Sequence, residues 1–333
     1  MSRVQMTYSG IDYWDRTLPL ITGQVQPEGV DLTYFTLYPP ELWRRTLESA
    51  EFEASEISAC SYLTMRAAGD DRFVGLPIFP SRNFRHGYIF LRSDAGIESP
   101  QDLAGKRVGV GNYQETASLW MRAFLHHDYD VPASAIHWVQ PALQADGRPD
   151  AQLSPDIEIT TAPAGKTLEQ LLLAGELDAI MSPQRPQSLL AGDPRVKRLF
   201  PNFREAEQDY FKRTGFYPIM HMVVMRRDFY ERHRWVANAL LFAFEEAKAV
   251  ARKRLQNVGV LSVSLPWLVA DLEEANQVMG PDPFQYGFEA NRPIMEAMTQ
   301  YLVEQGLSQR KLDPEELFAP ETLGTRLNLP PAR

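Results

Sequence analysis

Gly96–Leu125 reads GIESPQDLAGKRVGVGNYQETASLWMRAFL, and its punctuation decides the fold. Ser99 is placed to cap a short helix, with Pro100 at its first position and Asp102 at its third. Gly105 ends that helix, and Lys106–Val110 reads as a strand. Asn112 and Glu115 have capping-box spacing for a second helix that runs on through Trp120 and Phe124. A strand that turns through Gly109 and Gly111 into a helix N-terminus leaves backbone N–H groups without intrahelical acceptors. Such a turn is an anion site and holds a carboxylate with no catalytic residue nearby. The chain is therefore predicted to grip a small acid there.

Working outward, the first ninety residues alternate strand and helix. Arg3–Tyr8, Val30–Leu37, Ala54–Ser61, Phe73–Phe79 and His86–Arg92 read as strands, with helices at Thr17–Gly23 and Pro40–Ala50. This alternation predicts a mostly parallel sheet with flanking helices. Beyond Gly96–Leu125 come strands at Ile136–Val139, Ile157–Ala162 and Leu177–Met181, and a helix capped by Thr167 and Gln170 that stops near Gly175. Gln140–Pro155, rich in Pro, Gly and Asp, reads as a surface loop. Pro218–Met225 is an apolar strand, and Arg234–Arg254 has apolar residues at helical spacing. Further helices are expected at Pro266–Met279, Arg292–Gln305 and Pro314–Leu317. Two strands, His86–Arg92 and Pro218–Met225, each end one block and open another. That is the pattern of one lobe interrupted by a second: residues 1–90 plus 219–333 against 91–218, with a cleft between them.

Composition narrows the partners. The chain has 333 residues, 44% hydrophobic and 23% charged, which suits a two-domain globular protein. A formal net charge of −9 argues against nucleic acid or an anionic membrane as partner, but not against a small acid, which local arginines would bind. Cys60 is the single cysteine, so there is no disulfide framework. The opening residues carry no apolar signal region, and the apolar run Val236–Phe244 is interrupted by Asn238 and far too short to span a bilayer. A cytoplasmic location is the expectation; a homo-oligomer is left open.

Chemistry is concentrated in a few places. Pro80-Ser81-Arg82-Asn83-Phe84-Arg85-His86-Gly87 packs two arginines and a histidine into a turn after an apolar strand. It reads either as a solvated loop or as a ligand clamp, because ligands in open α/β sheets sit at the carboxyl ends of strands. Arginine suits a carboxylate because its fork is bidentate. His221, inside Pro218–Met225, reads either as a satisfied core histidine or as a cleft residue. Asp15-Arg16-Thr17 reads as a simple N-cap or as part of the cleft, and Arg185 follows a buried strand. Gly109-Val-Gly111 lacks the third glycine of a dinucleotide fingerprint, with Gln114 in its place. Gly165-Lys-Thr167 lacks the first glycine of a phosphate loop, with Thr160 there. No histidine pair has zinc spacing, and the adjacent His126 and His127 are expected to face different directions. No metal is expected.

Longer runs carry a resemblance. Trp14-Asp15-Arg16-Thr17, Pro27–Leu32, Leu76–Arg82, Phe84-Arg85-His86, Leu103–Val110 and Tyr113–Ala117 belong to it. So do Arg198–Pro201, Arg213-Thr214-Gly215, Pro218–His221, Leu265-Pro266-Trp267 and Pro314–Leu323. On these runs the chain resembles the 4,5-dihydroxyphthalate decarboxylase family, which is related to type II periplasmic solute-binding proteins. It departs from the pattern at Tyr88 and in the long loop Gln140–Pro155.

The resemblance implies an α/β, two-lobed type II periplasmic-binding-protein-like fold with a ligand cleft between the lobes. It also implies cofactor-independent decarboxylation of 4,5-dihydroxyphthalate to protocatechuate and carbon dioxide. The second class of reading is a non-catalytic binding protein for an aromatic or other small carboxylate. For the first class the expected catalytic residues are His86 and His221 as an acid–base pair, with Asp15 or Glu115 orienting one of them. Arg16, Arg82, Arg85 and Arg185 are expected to include the carboxylate clamp, with Thr116, Tyr113 and Ser61 as further substrate contacts.

Overall fold

The computed structural model describes residues 3–142 and 153–327. The 143–152 part of the predicted loop lies outside the described residues. In chain order the strands are Val4–Gly10 (β1), Val30–Thr36 (β2), Ala54–Ser58 (β3), Phe73–Arg82 (β4), Ile89–Arg92 (β5), Arg107–Val110 (β6), His137–Gln140 (β7), Ile159–Thr161 (β8), Ala179–Met181 (β9), Val196–Arg198 (β10) and Ile219–Arg226 (β11). They form two sheets, ordered β2-β1-β3-β11-β4 and β10-β5-β9-β6-β7-β8. Each sheet is mixed. β1 runs parallel to β2 and β3, whereas β11 runs antiparallel to β3 and β4. β6 is parallel to β7 and β9, and β5 is antiparallel to β9 and β10. The first lobe therefore takes one interior strand, β11, from far along the chain, and the chain passes between lobes after β4 and again before β11.

Local sequence accounts for most element ends. Ser99 and Asp102 form the expected capping box on a short 3-10 turn, Pro100–Leu103, with the Ser99 N–H donating to Asp102 at 2.8 Å. Gly105 follows with φ near 73°, the left-handed value glycine adopts without penalty. Thr167 and Gln170 cap Leu168–Leu173 reciprocally. Three boundaries differ from expectation. The run Ala54–Ser61 is a strand only to Ser58, whose Oγ accepts the Ser61 N–H and starts the helix Ala59–Ala67. His86–Tyr88 is a 3-10 turn and β5 starts at Ile89, because the Tyr88 N–H closes back on the Arg85 carbonyl at 3.1 Å. The long helix begins at Thr116, not near Asn112, since Asn112 Oδ1 accepts from the Gln114 N–H in a tight turn first. The helix Phe203–Thr214 was not foreseen. It has a single buried residue, Tyr210, so it leaves little apolar periodicity to detect.

The helix Thr116–Tyr129 follows β6 in the second lobe, yet its bonds reach into the first. Thr116 Oγ1 accepts the Cys60 N–H at 3.1 Å and lies 2.9 Å from Ser58 Oγ. Trp120 Nε1 donates to the Ile219 carbonyl at 2.8 Å. Arg122, fully buried, donates to Gln305 Oε1 at 2.7 Å and to the Tyr113 carbonyl at 2.8 Å, and Tyr113 Oη donates to the Gln305 carbonyl at 3.1 Å. Gln305 returns a bond from Nε2 to the Leu119 carbonyl at 2.9 Å. Both lobes are thus bonded along one buried helix.

Candidate functional site

A cavity of about 590 Å³, a size that suits a small ligand, lies between the lobes. The first lobe lines it with Pro39, Pro40, Trp43, Ser58, Ser81, Arg85, Met220 and His221. The second lobe contributes Gly111, Asn112, Glu115, Thr116 and Ala117 from the turn after β6, with Pro141, Ala142, Pro183 and Gln184. Gly111 leaves room for the Glu115 carboxylate: a Cβ there would stand 3.0 Å from Glu115 Oε1, and that side chain would have to shift by a few tenths of an ångström.

His221 is aimed by the sheet. β11 shifts register on both sides of it, and such an irregularity re-aims a side chain. Its neighbour on β3 is the one that sequence reading missed. Glu56, opposite Val223 and so diagonal to His221 on the same face, is fully buried and lies 2.6 Å from His221 Nδ1 through Oε1. Glu56 is itself held by the Tyr13 hydroxyl at 2.7 Å and the Ile11 N–H at 3.0 Å. Burial, and then Glu56, push the Tyr13 hydroxyl well above its ordinary pKa, so Tyr13 stays a donor. The edge of the Trp43 ring meets the imidazole, 5.0 Å between centroids at 82°. A carboxylate on Nδ1 fixes the tautomer and leaves Nε2, which has no partner among the described residues, for a ligand.

Arg85 supplies the opposite charge. It is 8% exposed, its Nε points at Met220 Sδ (3.3 Å), and its guanidinium lies over the Tyr88 ring at 4.8 Å. Among the described residues no carboxylate forms an ion pair with it. Burial lowers its pKa. A buried, unpaired cation on a cavity wall is costly until an anion arrives. Thr116 and Ala117, the first residues of the Thr116 helix, line the same space, and the N-cap side chain makes no capping bond to the first-turn N–H groups. Thr116 itself lines the cavity, but its hydroxyl is engaged with Cys60 and Ser58.

Several expected site residues belong elsewhere. Arg82 is a buried staple: it donates to the carbonyls of Tyr217 and Gln285, each at 2.9 Å, and to Asn291 Oδ1. Arg16 donates to the Pro80 carbonyl at 2.6 Å, pairs with Asp15 at 2.6 Å, and covers the rings of Tyr13 and Phe284. It buttresses Tyr13 from behind the cavity, and Asp15 orients Arg16, not a histidine. Arg185 is exposed outside the lining; its neighbours Pro183 and Gln184 reach the cavity instead. Tyr113 is consumed by Gln305 and by stacking under Arg122, 3.7 Å from its guanidinium carbon. Ser61 is buried in the first turn of its helix, away from the lining. Glu115 lines the cavity on the second-lobe side, and Glu56 holds the place beside His221 that was expected of Glu115 or Asp15.

His86 is the largest correction. Its ring stacks on Phe124, 4.1 Å between centroids at 11°, with Phe200 and Tyr210 around it. Nδ1 is buried without a partner among the described residues. Burial lowers its pKa to about 4, opposed by the nearby Asp128 carboxylate and reinforced slightly by Arg213. His86 is not among the residues that line the cavity. The unfolded chain binds a proton at this histidine below about pH 6.5, and the folded chain refuses it down to about pH 4. Stability is therefore full above pH 6.5 and falls with pH through that window, by on the order of 3 kcal/mol at most. His86→Leu is expected to remove that component from the pH dependence of the urea midpoint and to leave turnover intact. A wild-type slope in the variant, or a loss of turnover, would return His86 to the chemistry.

No protein-family model matches the chain. It is 38% identical over 326 residues to 4,5-dihydroxyphthalate decarboxylase of Comamonas testosteroni, covering 97% of this chain and 98% of that one. It is also 38% identical over 204 residues to the enzyme of that name from Pseudomonas putida, covering 60% of this chain and 79% of the other. In three dimensions it is similar to the periplasmic aliphatic sulphonate binding protein SsuA from Escherichia coli (TM-score 0.53, 13% identity), covering 98% of this chain and 100% of SsuA. It is similar too to the desulfurization enzyme DSZB (TM-score 0.53, 18% identity), covering 96% of this chain and 98% of that one. The α/β, two-lobed architecture is that of periplasmic binding proteins.

Proposed function

The chain belongs to the 4,5-dihydroxyphthalate decarboxylase family, and on that premise we propose that its interlobe cavity converts 4,5-dihydroxyphthalate to protocatechuate and carbon dioxide with His221 as the general base. The observation that carries the reading is the Glu56–His221 pair at 2.6 Å on the wall of a cavity that also holds the unpaired Arg85.

Each carboxylate of this substrate has a hydroxyl para to it. Nε2 of His221 takes the proton of one hydroxyl, and Glu56 stabilises the imidazolium that forms. Electron density moves through the ring to the carbon that bears the para carboxylate. That carbon accepts a proton, the carbon–carboxyl bond breaks, its electron pair stays with the ring, and carbon dioxide leaves as aromaticity returns. The phenolate is then reprotonated, so one proton is consumed overall. Glu115, the carboxyl group of the second-lobe wall, relays the ring proton from solvent. Arg85 and the N-terminus of the Thr116 helix hold the carboxylate that remains in the product. Trp43, Pro39 and Pro40 give the departing carboxylate an apolar wall, where loss of its charge is favoured.

Purified protein incubated with 4,5-dihydroxyphthalate is expected to release carbon dioxide and form protocatechuate in equal amounts. Saturable binding without carbon dioxide release would assign the cavity to a binding protein instead.

A further inference from the structure

The helices Thr116–Tyr129 and Phe288–Glu304 end side by side, and their last turns bring together three metal-ligating side chains remote from the cavity. Nε2 of His127 lies 2.7 Å from Glu304 Oε2, and Nδ1 of His126 lies 3.8 Å from the same oxygen. All three ligand atoms fall within 4.8 Å of one another. The adjacent histidines do not face apart as expected. Their rings sit 4.8 Å apart at 34°, because one presents its near nitrogen and the other its far one.

We propose that His126, His127 and Glu304 form a site for one borderline divalent transition ion of the Zn²⁺ type, bridging the two lobes. Two imidazole nitrogens and one carboxylate oxygen suit zinc, copper or nickel, whereas magnesium and calcium prefer all-oxygen sets. Ligand atoms bound tetrahedrally at about 2.0–2.1 Å stand roughly 3.4 Å apart. The two nitrogen-to-oxygen contacts of 2.7 and 3.8 Å straddle that spacing, and with all three atoms within 4.8 Å of one another, side-chain rotations that draw the two imidazoles together would complete the set. The second oxygen of Glu304 is already fixed by Gln300 Nε2 at 3.0 Å, the outer contact that orients a carboxylate ligand. The ring of His127 also rests against Tyr301, 5.1 Å between centroids. The site is partly exposed, which leaves the fourth position to water. It lies roughly 15 Å along the helix from Thr116, at 1.5 Å per residue, so it takes no part in the cavity chemistry. The histidines belong to the helix that follows β6, and Glu304 to the helix whose C-terminal end carries Gln305.

Calorimetric titration of the chelator-treated full chain with Zn²⁺ alone tests the site. One equivalent is expected to bind. The affinity should be lost in the His126→Ala/His127→Ala double variant and weakened at least about tenfold in Glu304→Gln, with Gln300→Ala affected less. Zn²⁺ should raise the thermal midpoint of the wild type and not that of the double variant. Co²⁺ on the unaltered protein should give the intense visible bands of four-coordinate cobalt, a readout that needs no variant. Absence of Zn²⁺ binding, equal affinity in the double variant, or full affinity in Glu304→Gln would each overturn the proposal.

Discussion

His221→Gln is expected to lower kcat by about 10²–10⁴-fold, the usual contribution of a general base, while the fold and the thermal shift produced by protocatechuate persist. Among the described residues that line the cavity, His221 carries the one imidazole, and the variant removes it. Its buried contacts are few: Glu56 and Tyr13 at Nδ1, and the ring of Trp43. Glu56→Gln should act in the same direction, because the amide keeps the shape but not the charge that fixes the tautomer and steadies the imidazolium. Its effect should appear as a displaced pH–rate profile as well as a lower kcat, since Glu56 touches no substrate and acts through His221. Turnover within a factor of two of wild type in both variants would sink the assignment.

Arg85→Met is expected to weaken substrate binding by about 2–5 kcal/mol, or roughly 30- to 4,000-fold, because the acid would enter a cavity without its counter-charge. The unliganded protein should be no less stable, or somewhat more so. The change takes out a buried cation that has no ion-pair partner among the described residues and leaves a side chain of similar volume. This pairing of outcomes is diagnostic: an arginine with a structural role, such as Arg82, would lose stability first. Titration with protocatechuate and thermal unfolding of the same sample separate the two cases. Unchanged affinity in a folded variant would move the carboxylate seat away from Arg85.

The parts of the molecule that were legible in the sequence are those decided within a few residues. The Ser99–Asp102 and Thr167–Gln170 boxes, the glycine stops at Gly105 and Gly175, and the amphipathic helix now seen at Val236–Leu255 need only local partners. The turn at Gly111–Ala117 was readable for the same reason, and it lines the cavity. The clamp was harder. Arg82, Arg85 and His86 lie within five positions at the end of β4, yet only Arg85 reaches the cavity. The side to which a residue points in an irregular turn is set by its packing partners, here Asn291 for Arg82 and Phe124 for His86, both distant in sequence. Glu56 was overlooked because Ala54–Ser61 reads as an apolar run. Its reason for being buried, His221, comes 165 residues later. A single carboxylate inside such a run is the signal that marks it, since an acid is not buried without a partner.

The Thr116 helix cannot part from the first lobe without breaking the bonds to Cys60, Ile219 and Gln305, each leaving a buried polar group unsatisfied at about 1–3 kcal/mol. Swinging the second lobe away from the first about this helix therefore costs on the order of 3–9 kcal/mol in hydrogen bonds alone. The part of the second lobe that lines the cavity is tied to the first lobe at its root, so the two walls move as one piece unless that cost is met.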